Sequence, residues 1–436
     1  MTGEFPHPPT ASRRVPPSPH GRGNWYADTA PDFPDLPPLT GDAAAEVCIV
    51  GAGFTGLGAA LALGGRAIVL EAAHVGAAAT GRNGGQVHTG QRRDQAWLEK
   101  AVGRDDALAL WRLAEDARAH FKTLTGTIDC DWRPGMIHAR HKPNGEAEDA
   151  AYVALMAERY GYEQLALIDE ETLAHELGTD VYHGGLIDRG GGHVHPLKLA
   201  QGMARQAMAA GAVIHEHTRA EAWRREGGGI IVETTHGRVT CERLILSGDG
   251  CLDAMAGAAR ARVMPINNFI AVTAPLGGLA DRIIRSNAAV ADSRFVVNYF
   301  RKTPDDRLLF GGGENYRPGF PRDIAGMVRK NLAKVYPRLA DIEITHAWGG
   351  TLGITMSRMP FVGEVAPGVR VASGYSGQGV MLAPYVGKLL GEAALGATGP
   401  VELLSRLPTP PFPGGRLLRW PLTVAGLSWY ALRDRL

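Results

Sequence analysis

Short apolar runs separated by glycine-rich turns follow the proline-rich first 42 residues of the chain. Residues 47–50 are apolar and mostly β-branched, which is typical of a buried parallel strand, and residues 67–70 repeat the pattern. The uncharged stretch between them predicts a helix that begins near Thr55. Strand, helix and strand in this order predict a Rossmann-type βαβ unit.

Three glycines at the first turn have the G-x-G-x-x-G spacing of dinucleotide-binding loops. Gly51 allows the tight turn, Gly53 lets the backbone approach a pyrophosphate, and Gly56 lets the helix pack closely on the strand. The positive end of the helix dipole would point at the phosphates. Glu71 ends the second strand, where a carboxylate can accept hydrogen bonds from ribose hydroxyls.

The rest of the chain alternates between helical and strand patterns. Residues 92–125 and 146–177 have helical periodicity, and Pro196 is placed to begin a further helix. Between residues 264 and 345 polar and apolar positions alternate, which predicts an antiparallel sheet with hairpins. The predicted fold class is α/β (α+β), with a discontinuous Rossmann-type dinucleotide-binding domain and an antiparallel-sheet substrate domain.

These patterns also predict where the domains begin and end. Trp25 and Tyr26 are the expected anchors of an otherwise flexible N-terminal arm. The predicted boundaries are 1–42 for the arm, 43–112, 188–263 and 346–400 for the dinucleotide domain, 113–187 and 264–345 for the substrate domain, and 401–436 for a C-terminal docking segment.

Composition narrows the possible partners. The net charge of +1 favours neither nucleic acid nor an anionic membrane as a partner. Residues 47–65 carry no charge, but their glycines argue against a membrane-spanning helix, so we expect no integral membrane segment. The four cysteines are scattered and form no CxxC motif, which predicts a cytoplasmic protein with no disulfide framework and no metal site.

The histidine pairs do not change the expectation of no metal. His193 and His195 would share one face of a strand, but no third ligand is spaced near them, so a structural role at the helix entry is favoured. His215 and His217 are expected on a solvated strand face.

The dinucleotide is predicted to be FAD rather than NAD. The chain has no second G-x-G-x-x-G unit, whereas a reductase that uses NAD(P)H with a flavin usually needs two such sites. Glycine-rich loops at residues 81–86 and 374–380 are spaced to line one long ligand together with the first fingerprint.

The motifs GRNGGQ and SGYSGQGVMLAP, together with the fingerprint that ends in Glu71, resemble those of the FAD-dependent D-amino-acid oxidase superfamily. The segments DCDWRPGM, GGHVHPLKLA, RLLFGGGENY and SRMPFVGE resemble in particular its γ-glutamylputrescine oxidase subgroup, and the likeness runs from about residue 24 to the end. The resemblance implies oxidation of an amine C–N bond, with hydride transfer to the flavin and hydrolysis of the imine to an aldehyde.

The resemblance also implies which residues contact FAD. The fingerprint would hold the pyrophosphate, Glu71 the adenosine ribose, and the backbone of Ala220 the adenine, while the two later loops would follow the flavin. The implied contacts are Gly51, Gly53, Phe54, Thr55, Gly56, Glu71, Arg82, Asn83, Gly84, Gly85, Gln86, Ala220, Ser247, Gly248, Gly374, Tyr375, Gly377, Gln378, Gly379 and Val380.

The chain departs from the family pattern in three ways. The stretch between Gly56 and Glu71 is about three residues, or one helical turn, shorter than is usual in the family, so the first helix should be short. No cysteine follows Cys251, so the FAD is expected to be non-covalent. Lysines that serve oxygen activation and carboxylate binding in sarcosine-oxidase-like relatives are absent from RLLFGGGENY and SGYSGQGV, which argues against a small amino acid as the substrate.

Candidate substrate-site residues are His88, Asn298, Tyr299, Tyr316 and Trp348. Tyr299 and Trp348 could form apolar walls with a polar handle, although each could equally be a core aromatic. At Asn298 the related oxidase has an acid, which places the same amine substrate in doubt. The catalytic side chains are not identified by the sequence.

Three functions are compatible with these features. The favoured one is oxidation of a small-molecule amine, such as γ-glutamylputrescine or a related ω-amino compound, with oxygen or an unknown electron acceptor. The second is an N-alkyl amino-acid dehydrogenase that passes electrons to a carrier or quinone. The third is a non-catalytic flavin-binding scaffold, and the intact flavin loops argue against it. The C-terminal segment is expected to dock on the protein's own surface rather than on a membrane.

Overall fold

The computed structural model describes residues 23–252, 255–315 and 319–414, and within them it confirms the predicted mixed α/β class. Strands and helices are numbered in chain order. Tyr316, most of the predicted flexible arm and most of the predicted docking segment lie outside the described residues. No helix within the described ranges is long and apolar enough to cross a membrane.

The first sheet contains the predicted βαβ unit, and its central strands are parallel. Its order is β16-β17-β10-β1-β2-β7, with β9 beside β10 and β8 beside β9. Its strands are β1 (Ala43–Val50), β2 (Ala67–Leu70), β7 (Val213–His215), β8 (Ala220–Glu226), β9 (Gly229–Thr234), β10 (Gly237–Leu246), β16 (Phe361–Ala366) and β17 (Val369–Ser373).

The second sheet is largely antiparallel, as expected, although β12 pairs with β4 in parallel. Its order is β15-β11-β14-β13-β12-β4-β6-β3, with β5 beside β6. Its strands are β3 (Gln86–Val87), β4 (Arg133–Ala139), β5 (Leu165–Ile168), β6 (Gly185–His193), β11 (Met264–Pro275), β12 (Ala289–Asp292), β13 (Tyr299–Lys302), β14 (Arg307–Asn315) and β15 (Ile344–Ile354).

Eleven α-helices accompany the sheets in the part of the chain that the structure describes. They are α1 (Trp25–Thr29), α2 (Phe54–Leu63), α3 (Gln95–Val102), α4 (Arg104–Thr127), α5 (Glu146–Tyr160), α6 (Glu170–Leu177), α7 (Pro196–Ala209), α8 (Gly257–Arg262), α9 (Ile324–Val335), α10 (Gly379–Ala394) and α11 (Gly399–Ser405). Helix α2, which connects β1 and β2, has ten residues, so the short helix expected in the βαβ unit is confirmed.

Helices α2 and α10 pack together closely enough to exclude side chains at the contact. A Cβ on Gly387 would lie 2.0 Å from the carbonyl oxygen of Thr55, and one on Gly58 would lie 2.0 Å from that of Pro384. The main core forms where α2, α4, α7 and α10 cover one face of the first sheet. A separate core fills the space between the second sheet and helices α6 and α9.

Two helical predictions were wrong in part. Residues 92–125 form two helices, because Gly103 breaks the pattern with a φ of +84°. Residues 146–177 contain strand β5 between α5 and α6, where only the two ends of the four-residue strand are buried. Helix α9, inside the region predicted as sheet, was missed.

The domain boundaries stay a prediction. Strands β6 and β15 both pair within the second sheet, so the boundaries proposed at residues 188 and 346 pass through strands of that sheet.

Helix α1 anchors the chain between the second sheet and the second glycine-rich loop. The side chains of Trp25 and Tyr26 are buried, as expected, and they pack with Trp348 of β15. Asn24 Nδ2 donates to the carbonyl oxygen of Gly81, 3.0 Å away, at the start of the second glycine-rich loop.

Candidate active site

A cavity of about 310 Å³ brings together residues from three distant glycine-rich segments and from the second sheet. The predicted contacts that line it are Phe54, Thr55, Arg82, Asn83, Gly84, Gln86, Ser247, Tyr375, Gly377, Gln378, Gly379 and Val380. His88 and Tyr299, two of the predicted substrate-site residues, also lie on its wall. The long-ligand hypothesis required such a convergence of segments.

The first glycine-rich turn has no room for side chains. A Cβ on Gly56 would lie 1.9 Å from the carbonyl oxygen of Gly51, and Gly51 itself has a φ of +105°. Ser247 ties the turn to β10, because its hydroxyl donates to the carbonyl oxygens of Val50 and Gly51. The turn thus holds the amides at the start of α2 in place for an anionic ligand.

Glu71 is held rigidly beside this turn. Its two carboxylate oxygens accept hydrogen bonds from the backbone amides of Ala52 at 2.8 Å and Ala73 at 2.9 Å. Burial raises the pKa of the Glu71 carboxyl, although these two bonds oppose the rise. Each carboxylate oxygen has a second lone pair available for a ribose hydroxyl.

The second loop is ordered by its own side chains. Asn83 accepts from the amide of Gly85 at 2.7 Å and donates to the carbonyl oxygens of Ala79 and Thr80. Arg82 donates to the carbonyl oxygens of Ala77 and Gly349, and burial lowers the pKa of its guanidinium to about 10.

The third glycine-rich segment, residues 374–380, is joined to the first by a hydrogen bond between side chains. Its backbone also binds the carboxylate of Asp249, which follows β10. The hydroxyls of Tyr375 and Thr55 lie 2.8 Å apart. Asp249 accepts from the amides of Gly374 at 2.6 Å and Gly353 at 2.7 Å. Asp249 lines the cavity and was missed, although it directly follows the predicted contacts Ser247 and Gly248.

The opposite wall carries two imidazoles and a tyrosine. The rings of His88 and His138 have centroids 5.5 Å apart, and burial lowers the pKa of both, with a contribution to His88 from His138. The Tyr299 hydroxyl donates to Asn268 Oδ1. Both histidines are therefore neutral at neutral pH, and either can accept a hydrogen bond from a bound ligand.

Two buried polar atoms of wall residues have no hydrogen-bond partner among the described residues. They are Nδ1 of His88 and Oε1 of Gln378. Unpartnered buried polar atoms are uncommon in folded proteins, and a bound polar molecule would satisfy them. The cavity is therefore suited to a polar ligand that hydrogen-bonds to these atoms.

Asn298 lies behind the wall rather than on it. Its backbone amide and its side-chain Nδ2 both donate to the carboxylate of Asp292, each at 2.9 Å. Asp292 lines the cavity and also pairs with Arg294. This region therefore does contain an acid, Asp292, which lies six positions before Asn298 in the sequence. The two hydrogen bonds from Asn298 hold the carboxylate of Asp292 in position.

Trp348 is a core residue in the structure. Its side chain is 2 % exposed, packs edge-to-face against Tyr26, and donates from Nε1 to the carbonyl oxygen of Arg82 at 3.0 Å. It supports the second loop from behind and is not among the residues that line the cavity.

Other predicted contacts also lie off the wall. Eight predicted contacts are not among the residues that line the cavity: Gly51, Gly53, Gly56, Glu71, Gly85, Ala220, Gly248 and Gly374. Their assignment as FAD contacts stays a prediction.

Arginines on the wall were missed by the sequence analysis. Arg92 follows the second loop closely, and Arg358 belongs to the SRMPFVGE segment, so both lay near motifs already recognised. Arg358 has a φ of +68°, and its guanidinium lies 5.4 Å from the centre of the Phe295 ring on the same wall. His138 and Asn268 could not have been found, because only strand pairing in the second sheet brings them here.

The HVHP histidines have the structural role that was favoured. His195 is the N-cap of α7 and accepts from the amide of Lys198 at 3.2 Å, while His193 Nε2 lies 2.9 Å from the carbonyl oxygen of Asn287.

Comparisons with known proteins agree with this arrangement. The model of the family described as "FAD dependent oxidoreductase" (DAO) matches residues 46–393. A "Probable oxidoreductase OrdL" of Rhizobium meliloti (strain 1021) is 45% identical over 417 residues, which cover 94% of this chain and 97% of that protein. The "Gamma-glutamylputrescine oxidoreductase" of Escherichia coli (strain K12) is 36% identical and covers 95% of this chain and 98% of its own.

Solved structures show the same fold at low sequence identity. Glycine oxidase from Bacillus cereus has a TM-score of 0.66 at 18% identity, with 81% of this chain and 98% of that chain covered. L-proline dehydrogenase from P. horikoshii has a TM-score of 0.67 at 20% identity, with 81% and 93% covered.

Proposed function

Because this chain belongs to the DAO family of FAD-dependent oxidoreductases, we propose that it oxidises the C–N bond of an amine with non-covalently bound FAD. The proposed substrate is γ-glutamylputrescine or a related ω-amino compound. The 36% identity with the Escherichia coli enzyme over nearly the whole of both chains supports this substrate class.

The observation that carries the proposal is the convergence of three glycine-rich segments on one cavity whose opposite wall is polar. The turn at Gly51 and the start of α2 would hold the pyrophosphate, Glu71 the ribose, and residues 82–86 and 375–380 the flavin. When bound, FAD supplies the acceptor for a hydride from the carbon next to the amine nitrogen. No cysteine lies on the described cavity wall, which supports non-covalent binding.

The polar wall suits an amine that must lose a proton before it reacts. His88 and His138 are neutral because burial lowers the pKa of each imidazole. A neutral imidazole adds no positive charge to the wall and can accept a hydrogen bond from the amine, so it orients the amine in its neutral, reactive form. His88 is the stronger candidate, since its Nδ1 has no partner among the described residues.

The guanidinium groups of Arg92 and Arg358 on the wall favour a substrate that also carries a carboxylate. Guanidinium and carboxylate groups form strong charge-assisted hydrogen bonds. γ-Glutamylputrescine has a carboxylate far from its terminal amine, whereas putrescine has none. The proposed pocket therefore distinguishes the two through contacts remote from the reacting carbon.

Anaerobic mixing of the purified protein with a panel of amines tests the proposal. γ-Glutamylputrescine should bleach the visible flavin absorbance, and putrescine should do so more slowly. Substitution Arg358→Gln should remove about 2 kcal/mol of binding, which is roughly a 30-fold loss in kcat/KM for the glutamylated amine. Arg93→Gln is the matched control, because Arg93 donates to Ser357 but does not line the cavity.

Other outcomes of the same experiment would reject parts of the proposal. If N-methyl amino acids bleach the flavin and ω-amines leave it oxidised, the substrate class is wrong. Hydrogen peroxide formed in air in step with amine consumption would identify an oxidase, and its absence would identify a dehydrogenase. A protein purified without flavin that cannot be loaded with FAD would instead be a scaffold.

A further inference from the structure

Three metal-ligating side chains meet at the edge of the first sheet, and none of them lines the cavity. His74, Glu216 and His217 each offer one ligand atom, and these atoms all lie within 4.8 Å of one another. His74 and Glu216 are separated by 142 positions in the sequence. The spacing of residues along the chain therefore gives no sign of the group.

Strand pairing explains why these residues meet. β2 and β7 are parallel neighbours, so the loops that follow them leave the same edge of the sheet. The amide of His217 donates to the carbonyl oxygen of Ala73 at 3.0 Å, and that of Thr218 donates to the carbonyl oxygen of Glu71 at 2.7 Å. These backbone hydrogen bonds join the two loops that carry His74, Glu216 and His217.

The backbone at His217 is in an unusual conformation. β7 ends at His215, so the expected solvated strand face does not reach His217, which has a φ of +52°. Non-glycine residues adopt this left-handed region rarely. Here it directs the His217 ring onto His74, edge to face, with ring centroids 4.5 Å apart.

Glu216 is a buried and pre-ordered carboxylate. Its residue is 1 % exposed, and its oxygens accept from the amides of Val75 at 2.7 Å and Leu36 at 3.1 Å. His74 Nδ1 lies 3.3 Å from Glu216 Oε2. Among the described residues, no lysine or arginine forms a salt bridge with Glu216.

A second buried carboxylate lies close to the first. Burial raises the pKa of Glu71, and the charge of Glu216 raises it further. Glu216 itself is a buried carboxylate that pairs with no lysine or arginine among the described residues, so a bound cation would supply the opposite charge.

We propose that His74, Glu216 and His217 bind one divalent transition-metal ion of the Zn²⁺ class. Two imidazoles and one carboxylate are ligands that Zn²⁺, Ni²⁺ and Cu²⁺ prefer, whereas Mg²⁺ and Ca²⁺ prefer oxygen ligands alone. His74 and His217 are exposed, so an ion can reach the site from solution and keep water in its remaining positions. The ion would join the loop after β2 to the loop after β7, immediately behind the turn that carries Glu71.

Isothermal titration of chelator-treated, FAD-loaded protein with zinc chloride tests the site. The expected result is one saturable equivalent per chain. His74→Gln and His217→Asn should each weaken zinc binding by roughly 10-fold or more, since each removes one of three ligands. Asparagine is chosen at position 217 because it tolerates positive φ. His215→Gln is the matched control, because this neighbouring imidazole lies outside the group and contacts Pro37.

Thermal unfolding gives a second readout that does not depend on catalysis. Zinc should raise the unfolding temperature of the wild-type protein and of His215→Gln, magnesium should not, and the double variant His74→Gln/His217→Asn should not respond to zinc. Zinc binding that is absent, that survives the double variant, or that is lost equally in the control would overturn the proposal. Amine oxidation by the double variant stays measurable in each case, so the result is separate from the proposed function.

Discussion

At the scale of single residues, Arg301 is a buried cation whose hydrogen-bond acceptors are all uncharged. It is 2 % exposed and donates to the carbonyl oxygens of Gly84, Val194 and Lys302 and to the hydroxyl of Tyr26. Oriented dipoles replace the water that a buried charge would otherwise need. Because Gly84 lines the cavity, this positive charge lies directly behind the loop proposed to hold the flavin.

Arg301→Met should therefore make the midpoint potential of bound FAD more negative. A nearby positive charge stabilises the negative charge that the flavin gains on reduction, and its removal withdraws that stabilisation. An anaerobic redox titration with a reference dye measures the change. Lys302→Met is the matched control: Lys302 is the next residue of β13, is also buried, and donates to Ala280 on the other face of the strand. An unchanged potential in FAD-replete Arg301→Met protein would refute the electrostatic role.

At the scale of elements, the start of α7 depends on an imidazole that must stay neutral. His195 accepts the amide of Lys198 through Nδ1, and its Nε2 lies 3.1 Å from the hydroxyl of Thr29 in α1. Burial, reinforced by the charges of Arg301 and Lys198, lowers the pKa of His195 to about 3. A protonated ring could no longer accept the amide, so the helix cap would be lost.

Acid should consequently destabilise the protein through His195. The unfolded chain binds a proton near the ordinary histidine pKa of about 6.5, whereas the folded chain does not until about pH 3. Stability is therefore complete above about pH 6.5 and falls by up to about 1.4 kcal/mol per pH unit below it. His195→Asn retains a side-chain acceptor for the cap but does not titrate, so its urea-unfolding free energy should fall less steeply between pH 6.5 and 4. An identical slope in both proteins would contradict this origin.

At the scale of the whole molecule, what could be predicted was local in sequence. The βαβ unit, the glycine-rich loops and the Pro196 helix each have their signals within a few residues, and the structure has each of them where it was expected. Helix α9 was overlooked although its signals are local, since Asp323 caps it and Ile324, Val328 and Leu332 recur at helical spacing on its buried face. Strand β5 was not predicted, because a four-residue segment that is buried only at its two ends is decided by tertiary packing.

The far wall of the cavity was unpredictable for the same physical reason. His138 reaches it only because β4 pairs with β12, and Asn268 only because β11 pairs with β14. The aromatic side chain of Trp348 made it a candidate for the substrate wall, yet the side chains of α1 cover it. No local sequence pattern indicates that contact. Residues adjacent to recognised motifs, such as Arg92 and Asp249, could have been included by position alone.

The cavity joins both sheets, so FAD should act as a stabilising ligand of the entire fold. A ligand that binds only the folded state adds RT ln(1 + [L]/Kd), so each tenfold rise in free FAD above Kd should add about 1.4 kcal/mol. The unfolding temperature of FAD-depleted protein should be lower and should rise steadily as FAD is returned. ADP is the informative control: it lacks the flavin that residues of the second sheet would contact, so at equal concentration it should stabilise less. If ADP and FAD raise the unfolding temperature equally, the second-sheet wall contributes nothing to cofactor binding, and the proposed placement of the flavin beside Tyr299 and His88 is wrong.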